Sequence, residues 1–217
     1  SDLPSDLVGH LDGYQYNGTA AKVNFALDDL PAFPGLEGRA DIFQGFTNLG
    51  PSIPYLEAAF TDNAAGRFSR RPFIDCCVQS TMDPEMSPPG KHVMSCFVMY
   101  APYHLAEGDW DSQREALGDT VQETIEEFFP GFGELVLHRE VVTPLDIERL
   151  IGLSEGNIFA GELFEEQLFL NRPAPGWNQY RTPIEGYYQC GSGTHPGGCV
   201  TGGPGWLAAR QILGDRA

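Results

Sequence analysis

The sequence predicts an α+β fold: a mixed, largely antiparallel sheet with flanking helices, followed by a C-terminal strand–turn–helix. Three observations carry this. Strand-like and helix-like segments mix along the 217 residues without a regular βαβ alternation. Two adjacent strand-like segments are joined by proline-rich turn material, the pattern of an antiparallel hairpin. The last thirty residues read as a short strand, a glycine-packed turn and a helix opened by Pro204. A hydrophobic share of 41% and 12% aromatics give one domain, or one and a half, a sizeable core.

Taken in order, Ala21 to Leu27 alternates as a strand, with Val23, Phe25 and Leu27 on one face. After a Gly/Pro-rich stretch, Ser52 to about Ala65 reads as a helix with Pro54 in its first turn and Leu56, Ala59 and Phe60 inward. Phe73–Gln79 and Val93–Tyr100 are the hairpin strands, joined through Asp83 to Gly90. Asp111 to Phe129 carries an apolar stripe of Leu117, Val121, Ile125 and Phe128, with Glu123, Glu126 and Glu127 facing water. Pro130-Gly131 stops it, and Leu135 to Val142 is a further strand. Thr143-Pro144-Leu145-Asp146 caps a short helix running to about Leu150. Neither period is clean from Gly156 to Arg181.

The C-terminal turn holds most of the chemical information. Eight glycines lie between Gly186 and Gly205, and a glycine lets backbone approach a ligand with no Cβ in the way. A helix N-terminus at the end of such a turn offers unpaired N–H groups and partial positive charge. Together they suit a phosphate or an electron-rich ring edge; the plainer alternative is a tight strand-to-helix connection, but eight glycines are more than a plain turn needs. The turn is not a dinucleotide fingerprint, because Gly191-Ser192-Gly193 is followed by Pro196 at the third glycine position. Neither a G-x-x-x-x-G-K-[ST] phosphate loop nor a G-x-S-x-G elbow occurs.

A net charge of −17 argues against nucleic acid and anionic membrane surfaces as partners. Cys76, Cys77, Cys96, Cys190 and Cys199 have no zinc-site or CxxC spacing, so no metal site is expected. They read as free thiols in a reducing compartment, which points to a cytoplasmic protein, and Cys76 and Cys77 should face opposite ways in a strand. No apolar run reaches membrane-spanning length, and the first ten residues lack the marks of a signal peptide. The chain begins at Ser1 rather than methionine, as expected of a truncated product.

Several segments together resemble one family. They are Ala21-Lys22-Val23-Asn24 with Leu30-Pro31, Ser80-Thr81-Met82-Asp83-Pro84 with Pro88-Pro89-Gly90, Gly156-Asn157-Ile158-Phe159, Arg172-Pro173, and Tyr180-Arg181-Thr182-Pro183-Ile184 with the terminal Gly193-Thr194-His195-Pro196-Gly197-Gly198. This resembles the C-terminal part of the phytoene-desaturase-like FAD-dependent oxidoreductases, closest to the pyridine nucleotide-disulphide oxidoreductase domain branch. The resemblance implies a C-terminal fragment whose N-terminal FAD-binding half lies elsewhere in the same protein. Residues 1–184 would be the substrate-binding region and 185–217 the FAD-contacting strand–turn–helix, a piece of the FAD domain. Gly191, Ser192 and Gly193 would lie along the ribityl–phosphate side of FAD. Thr194, His195, Pro196, Gly197 and Gly198 would turn over the flavin, and Val200, Thr201 and Gly202 would place N–H groups near its N1–C2=O edge. Cys199 and Ala160 depart from the family pattern, which has a third glycine and a histidine there.

The implied function is hydride transfer from a small or lipophilic organic substrate to flavin. Partners are then the substrate, the N-terminal half and, in an assembly, further copies of the chain. His195, the one ionisable side chain of the turn, is a candidate acid–base or a structural brace, and no catalytic residue is assigned. A non-catalytic binding or interaction module that keeps the fold without flavin is the competing reading.

Overall fold

The computed structural model describes residues 3–198 and 200–215. Its central element is β1 (Ala20–Leu27), which pairs antiparallel with β4 (His92–Met99) on one side and β5 (Val136–Val142) on the other. β3 (Ile74–Val78) and β2 (Phe46–Leu49) extend the sheet, giving the order β2-β3-β4-β1-β5 with every pairing antiparallel. The fold is therefore α+β. The hairpin strands pair as β3 and β4, with Cys76 opposite Cys96.

One face of this sheet is apolar because alternate residues of each strand are apolar. Val23, Phe25 and Leu27 of β1, Ile74, Cys76 and Val78 of β3, and Met94, Cys96 and Val98 of β4 are all buried. Two further helices, α1 (Ser5–Asp12) and α2 (Ile53–Ala64), precede α3 (Trp110–Phe128). The α3 helix contributes Leu117, Val121 and Ile125 to the same core cluster. Its start is fixed by Asp109, whose carboxylate accepts from Ser112 N while the Ser112 hydroxyl receives Asp109 N in return. Phe128 packs half-buried against the core cluster as expected, and Phe129, where the chain leaves the helix, turns fully inward. Phe132, on the one-turn α4 (Phe132–Leu135), meets Phe25 edge-on with ring centroids 5.1 Å apart.

In α2, Ser52 caps the helix and Ala59 is buried as expected, but Phe60 is 52% exposed and stacks edge-on with Tyr100 instead of entering the core. The α5 helix (Pro144–Ile151) has the capping box its sequence announces. Asp146 accepts from both Thr143 N and Thr143 Oγ1, and also from Arg114 at 2.6 Å. Burial works to raise the Asp146 pKa, but the Arg114 and Thr143 hydrogen bonds outweigh it and hold the carboxyl below its ordinary range.

By internal packing the chain divides into two units. One is Thr19–Gly156, which contains the sheet. The other joins Ser1–Gly18 to Asn157–Ala217. Residue 184 lies inside this second unit, so the expected functional boundary there is not a packing boundary. The second unit contains α1, two single 3-10 turns between Glu165 and Asn171, and α6 (Gly203–Asp215). Those 3-10 turns explain why neither period is clean in this stretch. No described helix is long and apolar enough to cross a membrane, and no described group of His, Cys, Asp and Glu could hold a metal.

Candidate functional site

The glycine-rich turn is anchored at both ends. Upstream, Tyr180–Thr182 and Tyr187–Gln189 form a minimal hairpin: Gln189 N donates to Tyr180 O at 2.9 Å, Thr182 N to Tyr187 O at 3.1 Å, and Arg181 bridges Tyr188. The expected terminal strand is thus a single bridge, because the glycines from Gly191 onward bend the chain away before a ladder can extend. Downstream, Asp215 at the end of α6 accepts two bonds from the Arg181 guanidinium, one from Tyr188 Oη at 2.6 Å and one from Gln211 Nε2 at 2.9 Å. Arg181 and Tyr188 hold the Asp215 carboxyl far below the usual carboxylate range, and the same contact pushes the Tyr188 phenol up.

Between these anchors the turn points carbonyls inward. Gly191 O accepts from Thr194 N and Thr194 Oγ1, Ser192 O from Arg172 Nε at 2.6 Å, and His195 O from Tyr180 Oη at 3.0 Å. Pro196 O accepts from Phe169 N. Thr194 is buried by these contacts and braces the turn as a structural residue would. His195 does not brace it in the same way, because its ring Nδ1 is buried without a hydrogen-bond partner. At the far end, Thr201 Oγ1 accepts from Gly203 N and Gly202 O from Trp206 N, which opens α6. Val200, Thr201 and Gly202 are exposed, and Cys199 lies outside the described residues.

The glycines of the turn fall into two classes. A Cβ on Gly198 would come 2.8 Å from Phe159 Cδ1, so packing requires glycine there; one on Gly197 would come a tight 3.1 Å from Leu168 Cδ2, at a backbone φ of +126° that itself calls for glycine. Gly191 and Gly202 instead have nothing within 4 Å of that position, and they need glycine because φ is +98° and +71°. Gly193 has ordinary contacts, at 3.6 Å or more. The space in front of Gly191 and Gly202 is therefore open to a ligand.

Two organising residues lie in segments that carried the resemblance but were given no role by sequence reasoning. Arg172 is 0% exposed, and its guanidinium donates to the carbonyls of Phe159, Ala160, Gly161, Gln167 and Ser192. Burial pulls its pKa down, yet arginine stays protonated in proteins. Asn157, equally buried, accepts from Phe159 N and Gly161 N and donates to Tyr16 O and Gly18 O. The signals available were a proline after Arg172 and a glycine before Asn157, neither of which reveals a side chain turned inward. A separate cleft of about 490 Å³, between Gly9–Gln15 and Phe164–Gln167, contains none of the turn residues.

No protein-family model matches the chain. It is 39% identical over 221 residues to pyridine nucleotide-disulfide oxidoreductase domain-containing protein 2 of Rattus norvegicus, covering 98% of this chain and 38% of that protein. It is 32% identical over 142 residues to a component of the limonene dehydrogenase of Castellaniella defragrans, covering 62% of this chain and 25% of that protein. It is 32% identical over 143 residues to a lycopene-forming phytoene desaturase of a Paracoccus strain, covering 63% and 27% of the two chains. The chain thus spans well under half the length of the curated relatives it matches. The expected resemblance holds along almost the whole chain, which belongs to the phytoene-desaturase-like oxidoreductases, in the branch of the pyridine nucleotide-disulfide oxidoreductase domain-containing proteins.

Proposed function

We propose that this chain is the C-terminal part of an FAD-dependent oxidoreductase that takes a hydride from a lipophilic organic substrate. The observation that carries the reading is the turn itself. Its carbonyls are bound inward, and Gly191 and Gly202 leave the outer side clear for close backbone approach. That surface fits a flavin nucleotide, which presents phosphate oxygens and an electron-rich ring edge. Bound there, FAD supplies the two-electron acceptor.

The protein's own part is to bind, orient and tune. Gly191, Ser192 and Gly193 line the ribityl–phosphate side, and Thr194 to Gly198 form the cover. Val200, Thr201 and Gly202, just ahead of α6, direct N–H groups toward the N1–C2=O edge. A helix N-terminus stabilises negative charge by about 0.3–2 kcal/mol, which favours acceptance of a hydride. The named substrates of two relatives, limonene and phytoene, are hydrocarbons, and this supports a lipophilic substrate. The N-terminal FAD-binding half, a cytoplasmic location and assembly into homo-oligomers belong to the same proposal.

The test is the visible spectrum of the complete gene product. Flavin bands near about 375 and 450 nm, the ordinary positions for the oxidised cofactor, are expected, and the isolated 217-residue chain should bind FAD poorly. A colourless complete protein that cannot be reconstituted with FAD overturns the proposal. The binding-module reading would then lead, favoured by the internal packing that already accounts for Gly198.

A further inference from the structure

Arg172 is a buried cation with no carboxylate partner among the described residues; its geometric hydrogen bonds go to backbone carbonyls, and its guanidinium also lies over the Tyr14 ring, 5.9 Å from the centroid. A buried charge is costly unless it is fully hydrogen-bonded, and here five peptide dipoles solvate it. Each of those peptides is trans, so its N–H points away from the guanidinium and carries the positive polarity outward. Four of the five N–H groups are absorbed inside the fold. Ala160 N donates to Asn157 O, Gly161 N to Asn157 Oδ1, Glu162 N to Gln15 O, and Leu168 N to Glu165 O. The fifth, Gly193 N–H, has no acceptor among the described residues, and it belongs to the peptide whose oxygen lies 2.6 Å from Arg172 Nε.

We propose that Arg172 is a positioning residue for an anionic ligand: it polarises the Ser192–Gly193 peptide so that Gly193 N–H donates to a phosphate oxygen of the cofactor. The inference rests on the flavin reading above and adds to it a residue that need not touch the ligand. Hydrogen bonds in a chain polarise one another, and those involving a charge are about twice as strong as neutral ones. One arginine therefore does two jobs. It gathers Phe159–Gly161, Gln167 and Ser192 into one body, and it delivers its charge through a single open peptide.

The test uses the complete, deflavinated protein and compares its affinity for FAD with that for riboflavin, which has the ring and ribityl chain but no phosphate. Wild type should prefer FAD. In R172M that preference should fall at least tenfold while riboflavin affinity stays within about threefold, a pattern general loosening of the turn would not give. A parallel loss of both affinities, or an unchanged preference, overturns the inference. Because R172M could fail to fold, G193P supplies an independent arm. It removes the N–H at a position whose backbone is not left-handed, and it should cost the same tenfold preference. G193A, which adds a Cβ but keeps the N–H, should retain the preference; equal loss in G193A and G193P overturns the inference. Wild type that binds neither flavin overturns the flavin reading itself, whereas wild type that binds FAD beside unchanged variants overturns only the role of Arg172.

Discussion

Gly198 lies against Phe159 so closely that a Cβ at residue 198 would stand 2.8 Å from the ring. Gly198→Val should therefore destabilise the chain by about 1–3 kcal/mol with no cofactor present. Gly193→Ala, with a nearest contact of 3.6 Å, should stay within about 0.5 kcal/mol of wild type. Thermal melts of the two variants decide this. Equal destabilisation would mean that the two glycines do not differ in packing. A loss of flavin in Gly198→Val would reflect the folded turn first and the ligand second.

Asp215 closes the hairpin onto α6, and its pKa is depressed in the folded chain. The stabilisation is therefore complete above the unfolded value, about 3.9, and is lost as pH falls toward the folded value. Amide exchange in α6 and in Tyr180–Gln189 should accelerate on acidification below about pH 4. Asp215→Asn should remove that acid sensitivity and exchange faster at neutral pH. Identical acid titrations for the two proteins would dissociate the ion pair from the order of the helix.

Asp146 joins the cap of α5 to Arg114 of α3. Asp146→Ala removes the Thr143 bonds and leaves the Arg114 guanidinium only the more distant Asp111 carboxylate, at 4.0 Å, a cost of about 2 kcal/mol. Asp146→Asn keeps an acceptor for Thr143 and should lose less. Urea unfolding of the sheet-containing unit is the measurement, and an alanine variant as stable as wild type would refute the role.

The cysteines should react in a fixed order. Cys190 is exposed and Cys77 half-buried, whereas Cys76 and Cys96 are buried side by side, with Sγ atoms 3.7 Å apart. Burial raises the Cys96 thiol well above its ordinary value, which suppresses the reactive thiolate. In a Cys199→Ser background, a chromogenic disulfide reagent should titrate Cys190 first and Cys77 more slowly. It should reach Cys76 and Cys96 only on unfolding, and four equally fast thiols would contradict the packing.

Local rules carried far in this chain. The alternation of Val23, Phe25 and Leu27, the opposite faces of Cys76 and Cys77, the first-turn Pro54 and the capping signal at Thr143 all mark elements that form as their residues dictate. What was hidden depends on distant partners. β2 is a four-residue strand with Phe46 exposed, and it is a strand only because β3 pairs with it. Phe60 has the right helical phase for burial but meets Tyr100 at the surface. In the turn, sequence located the glycines but could not separate those packed against Phe159 and Leu168 from those that open outward. Nor could it show that the charge beneath them comes from Arg172, twenty residues upstream of its Ser192 contact.

One unit of this protein is made from both ends of the chain, and the other is the uninterrupted stretch Thr19–Gly156. The Asn157 side chain donates to the Gly18 carbonyl, so the chain leaves and re-enters the first unit at one place. Topologically, residues 19–156 are a cassette with neighbouring ends. Such a cassette can be exchanged, shortened or circularly permuted without re-routing the host. Evolution can then re-tailor the sheet while the closing turn and its buried arginine are inherited intact, and a splice at 18/19 and 156/157 is where a chimera between relatives should be cut.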